Sequence, residues 1–135
     1  MVEKALQGQA LTVYGDGKLV RDYVFIEDVV RAFLAAGVYM DVLKGNHYVI
    51  GSGKGHTVAD MAQMVTQEVA RHTGKSVTVE HVPAPEGLSP IEFRNFVADT
   101  TSFSSLTGWQ AQVDLLEGIR RTIRAMETLM RQRQK

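Results

Sequence analysis

A chain of 135 residues, 44% apolar and 22% charged, has the composition of a folded globular protein, and its length fits a single domain spanning residues 1–135. Fifteen Lys and Arg balance fifteen Asp and Glu, so no whole-chain field draws the protein to nucleic acid or to an anionic membrane. The absence of cysteine rules out a disulfide framework and thiol chemistry and fits a cytoplasmic location.

No apolar run approaches the roughly 18 to 20 residues of a membrane span, and the first residues lack the pattern of a secretory signal. Leu11-Thr12-Val13-Tyr14 alternates β-forming residues and meets Gly15-Asp16-Gly17, which predicts a strand closed by a turn. A second apolar run covers residues 23–26. Glu27-Asp28 then opens a predicted helix, with Val29, Val30, Phe33, Leu34 and Val38 at helical spacing and its end between Gly37 and Asp41.

Residues 47–50 are short and β-like, and the glycines at 51, 53 and 55 break that run before a helix starting at Thr57. Thr57 and Asp60 have capping-box spacing, Val58, Met61, Met64, Val65 and Val69 give the helix an apolar face, and Gly74 stops it. Residues 77–82 alternate as a half-buried strand, and the loop beyond holds all three prolines. A strand near 96–98 leads to the helix caps Asp99, Thr100 and Thr101 and a short helix ending at Gly108. Leu115, Leu116, Ile119, Ile123, Met126, Leu129 and Met130 trace one stripe of a final helix. Strands alternating with helices predict an α/β fold with a partly parallel sheet.

Residues 11–30, with the glycine turn, Arg21-Asp22 and the helix-opening Asp28, resemble a segment of the extended short-chain dehydrogenases that act on nucleotide sugars, the NAD-dependent epimerases and dehydratases. Three later pieces keep that family's order: Tyr48 to Gly53 followed by Thr57, Val97 to Thr101, and Leu106-Thr107-Gly108-Trp109 ahead of Leu116 to Ile119. The resemblance covers nearly the whole chain. It implies the carboxy-terminal, substrate-binding region of such an enzyme without the amino-terminal Rossmann half, so that no cofactor is expected on this chain, NAD belonging to the parent enzyme.

It also implies a partner, a nucleotide sugar or nucleoside diphosphate bound weakly. Arg21 matches the family's phosphate-gripping arginine, and a planar guanidinium suits that task. Its alternative is a surface ion pair with Asp22 or Asp28. Tyr14, before the glycine turn, matches a residue lying against the nucleotide, and is equally readable as a half-buried strand aromatic.

Two departures stand out. Val49 replaces an asparagine that relatives set near the phosphate, and Ser89-Pro90-Ile91-Glu92 stands where many relatives carry Arg-x-Gly-Asp. Glu92 is then a candidate for the ribose-binding acid and Arg94 for the second phosphate cation.

Tyr14 and Lys18 have the family's catalytic Tyr-x-x-x-Lys spacing, but the glycines between them oppose a helix, so no catalytic residue is assigned. The glycines at 51, 53 and 55 resemble a dinucleotide loop with the third glycine one position early, and a tight turn capped by Thr57 accounts for them. The four histidines show no metal-ligand spacing. The basic excess of the last helix, Arg120, Arg121, Arg124, Arg131, Arg133 and Lys135, reads as a solvated helix end rather than a nucleic-acid surface. The chain is therefore expected to be catalytically silent alone. The alternative is a stand-alone ligand-binding or oligomerisation module on the same scaffold. In either case, apolar surface suited to the parent's cofactor sheet predicts a homo-oligomer.

Overall fold

The computed structural model describes residues 1–133, so Lys135 lies outside the described residues. The chain divides into two units, each with its own core: Met1–Leu19, Thr57–Arg94 and residues 116–133 form the first, Val20–His56 and Asn95–Leu115 the second.

In the first unit the alternating Leu-Thr-Val-Tyr run becomes strand β1 (Leu11–Tyr14), with Leu11 and Val13 each 1% exposed and Thr12 and Tyr14 outward. It pairs in parallel with β4 (Val79–Val82), Leu11 opposite Val79 and Tyr14 opposite Val82. Gly17 is required where it stands. Its φ is +68°, and a Cβ there would lie 2.7 Å from Val13 Cγ1 and 2.9 Å from the Ala59 Cβ.

Helix α4 (Val58–Thr73) packs on this ribbon and on α1 (Val2–Leu6), a short helix that the sequence pattern did not announce. Thr57 and Asp60 form the expected capping box, and Gly74 closes the helix in the left-handed conformation at φ 73°. Ala62, Val65 and Val69 are fully buried on its inner face. Glu68 is also buried, at 6% exposure, because the Arg120 Nε of α6 (Leu115–Arg133) donates to it at 2.8 Å and Arg71 donates from its own helix. A 3-10 turn, Pro90–Phe93, capped by the Ser89 hydroxyl, ends the proline loop.

The second unit holds β2 (Val20–Asp22), α2 (Ile26–Val38), α3 (Met40–Leu43) and α5 (Thr101–Thr107). Strand β2 pairs with β3 (Gly55–Thr57), whose last residue opens the first unit's helix. Ala32, Leu43, Phe103 and Trp109 form the core cluster, with Tyr48 and Ile50 packed against it. The Phe103 ring centroid lies 5.8 Å from both Tyr48 and Trp109, edge-on to the latter.

Asp28, at 0% exposure, is the polar centre of this unit. Its carboxylate accepts from Gln112 N at 2.9 Å, Val113 N at 3.0 Å and the Arg31 guanidinium, and its backbone oxygen accepts from Trp109 Nε1 at 3.1 Å. The expected strands at 47–50 and 96–98 do not form among the described residues. The first finds no ladder partner there, and the second reaches β2 through Phe96 N to Val20 O at 3.1 Å and through Ala98 N to the Asp22 carboxylate at 3.1 Å, without a continuous ladder. The α/β character and the parallel pairing are as the sequence predicts.

Candidate functional site

Arg21 sits at the middle of β2, half-buried, with Nη1 donating to its neighbour's carbonyl, Val20 O, at 3.0 Å. Burial pushes the Tyr23 hydroxyl above its ordinary pKa, and the positive charge of Arg21 works against that rise. Tyr23 lines a polar cleft of ≈ 170 Å³ with Ser52, Lys54 and His56.

Asp22, next along the strand, is bound from both sides. Ser52 N and Oγ donate to Oδ1 at 2.7 and 2.5 Å, and Gly53 N and Ala98 N donate to Oδ2 at 2.9 and 3.1 Å. Burial alone would raise its pKa, but the bonds from Ser52, Ala98 and Gly53 outweigh it and hold the carboxyl below the usual range. Gly51 has no room for a side chain, since a Cβ there would overlap the Ala98 Cβ and stand 2.7 Å from Asp22 Oδ2.

This arrangement tests the glycine loop as a dinucleotide cradle. A phosphate loop must aim its amides at the ligand, whereas the Ser52 and Gly53 amides already serve Asp22. The residues present do not fit a cofactor pyrophosphate. Nor does the Tyr14 to Lys18 spacing fall on a helix: Gly15 and Gly17 both have positive φ, and the Lys18 Nζ pairs with Asp16 Oδ2 at 3.0 Å within the turn.

Of the remaining sequence candidates, Tyr14 ends β1 with 54% of its surface exposed. Glu92 lies in the 3-10 turn and Arg94 just after it, both exposed. These three belong to the first unit and Arg21 to the second. Sequence reasoning named Asp22 only as an ion-pair partner for Arg21 and missed the Ser52, Gly53 and Ala98 donors that hold its carboxylate, and missed Tyr23. The adjacency of Arg21 and Asp22 was a signal, but Asp22's donors stand 30 and 76 residues away.

Comparison with known proteins defines the class. A family model described as GDP-mannose 4,6 dehydratase matches residues 1–122. The UDP-glucose 4-epimerase of Mycolicibacterium smegmatis is 34% identical over 123 residues, which are 90% of this chain and 36% of that protein. Among solved structures, the Thermotoga maritima UDP-glucose 4-epimerase with UDP-glucose superposes with a TM-score of 0.74 at 28% identity, covering 96% of this chain and 38% of that one. A Stenotrophomonas maltophila UDP-glucose 4-epimerase with bound NAD and formylated UDP-arabinopyranose gives 0.77 at 26% identity, covering 96% and 39%.

The chain belongs to the NAD-dependent epimerase/dehydratase family and matches the carboxy-terminal region of its members. It spans little more than a third of the length of these relatives.

Proposed function

We propose that the chain is the substrate-binding region of an NAD-dependent nucleotide-sugar epimerase or dehydratase, acting in the cytoplasm and without turnover of its own. The observation that carries this reading is the match along residues 1–122, combined with relatives whose structures hold UDP-sugars and NAD. Arg21 is the proposed diphosphate contact. Its strand is fastened by Asp22, and a permanent cation on a fixed strand suits an anion with two phosphoryl groups. Tyr14, Glu92 and Arg94 are proposed, each separately, as nucleoside and phosphate contacts of the first unit.

In the parent reaction NAD accepts a hydride from the sugar. The residues described here supply binding rather than a proton-transferring pair, since the single Tyr-x-x-x-Lys spacing lies in a turn.

Calorimetric titration with UDP tests the reading. Wild type should bind weakly and Arg21→Ala should bind about ten- to a hundredfold more weakly still, since a charged hydrogen bond contributes roughly 1.5 to 3 kcal/mol. No turnover should appear with NAD and common nucleotide sugars. Absence of UDP binding at millimolar concentration, or unchanged affinity in Arg21→Ala, overturns the assignment.

A second reading, a scaffold that self-associates without catalysis, is favoured by one observation. Ile26, Val30, Phe33, Leu34 and Val38 form a continuous stripe on α2 and are 50% to 79% exposed. Beside it lies an apolar groove of ≈ 540 Å³ lined by Phe33, Met40, Tyr48, Ile50 and Phe103.

A further inference from the structure

The Gly51-Ser52-Gly53 turn has the form of an anion-binding nest. Two successive backbone amides, Ser52 N and Gly53 N, point at one small volume, Gly53 takes the left-handed conformation at φ +71°, and the Ser52 hydroxyl and Ala98 N point there too. Four donors around a carboxylate-sized space would attract any oxyanion. What fills that space is the chain's own Asp22, with two donors on each oxygen.

Successive side chains on a strand leave it on opposite faces. Fixing Asp22 in the nest therefore turns Arg21 to the other face of β2. The same four bonds tie β2 to two segments distant in sequence, the 51–53 turn and Ala98, and Val20 is held as well, its N by Asn95 Oδ1 at 2.9 Å and its O by Phe96 N.

We infer that Asp22 is the resident anion of an oxyanion nest built by the 51–53 turn and Ala98, and that by filling it Asp22 acts as the positioning residue for Arg21. The positioning half of this inference rests on the diphosphate reading of Arg21; the nest does not. It follows that the glycine turn is an anion site closed to outside phosphate while Asp22 is present and opened by its removal.

The test is chemical rescue with formate, the smallest carboxylate. Asp22→Ala should melt several degrees below wild type, and tens of millimolar formate should raise its Tm more than it raises that of wild type, with chloride at equal ionic strength giving no such difference. Measured below Tm, where the variant is folded, its UDP affinity should fall about ten- to a hundredfold and recover with formate. A role in stability alone would move Tm and leave that affinity unchanged.

Should Asp22→Ala fail to fold, Asp22→Asn, which keeps one acceptor oxygen, replaces it, with an intermediate Tm and affinity expected. Formate that stabilises wild type and variant equally overturns the nest. A folded variant with wild-type UDP affinity overturns the positioning role. If wild type itself binds no UDP, the diphosphate reading has failed by a separate route. The formate arm then still decides the nest, and the Arg21 Nε–H resonance decides positioning: a shift in the variant that formate reverses supports it, and an unmoved resonance refutes it.

Discussion

Replacing Asp28 by alanine should unfold the second unit more readily than any other single polar change in it. Asp28 has no exposed surface, and its carboxylate is the acceptor for two backbone amides, Gln112 N and Val113 N, and for Arg31. Each buried donor left without an acceptor costs about 1 to 3 kcal/mol, and stranding the partner of a buried charge adds to that, so the expected loss is about 3 to 5 kcal/mol. Asparagine keeps one acceptor oxygen and should cost less, about 1 to 3 kcal/mol. Arg31→Ala should cost less than Asp28→Ala, because the Asp28 carboxylate then keeps both amide donors and loses only a cation that, at 34% side-chain exposure, is partly screened by solvent.

The chain offers its own probe. Trp109 is the only tryptophan and its indole donates to Asp28's backbone oxygen, which all three variants retain. Urea unfolding followed by Trp109 fluorescence and, separately, by far-ultraviolet circular dichroism gives the midpoint and slope for this unit and for the chain. A loss under about 1 kcal/mol for Asp28→Ala, at unchanged slope, would refute the reasoning that the two amide bonds to Asp28 hold the 112–113 segment.

Two further outcomes are expected. In the first unit, hydrogen bonding from Arg120, opposed by burial and aided by the charges of Arg120 and Arg71, lowers the pKa of Glu68 below its ordinary value. A lowered folded-state pKa gives stability that is full above the unfolded value, about 4.3, and lost as pH falls through the folded value. Wild type should therefore exceed Glu68→Gln in stability at pH 7, with the gap narrowing under acid melts below about pH 5; a gap independent of pH would remove the ion pair as its cause. On α2, sedimentation at micromolar concentration should show a dimer or larger species, and Phe33→Glu with Leu34→Glu should return it to monomer. A monomeric wild type across that range would end the assembly reading.

Much of the secondary structure was legible because its signals are local. The Thr57 and Asp60 box, Gly74 and Gly108 as helix stops, and the alternation of residues 11–14 act within a few positions of the structure they cause. Six elements, β1, α2, α4, β4, α5 and α6, could be placed in this way, and the ordered pieces around Arg21, Tyr48, Val97 and Trp109 carried the family.

Whether a β-prone run becomes a strand is not local, because a ladder needs a neighbour. Residues 47–50 and 96–98 have the composition and form no ladder among the described residues, the second touching β2 only at Phe96 and Ala98, while Gly55–Thr57, poor in β-formers, is strand because β2 lies beside it. The same holds for the two aspartates. In sequence Asp28 is an acid in a helix's first turn and Asp22 is the neighbour of an arginine. Only folding brings Gln112 and Val113 to the first and Ser52, Gly53 and Ala98 to the second, since a carboxylate's role is set by the donors that reach it, and these lie 30 to 85 residues away along the chain.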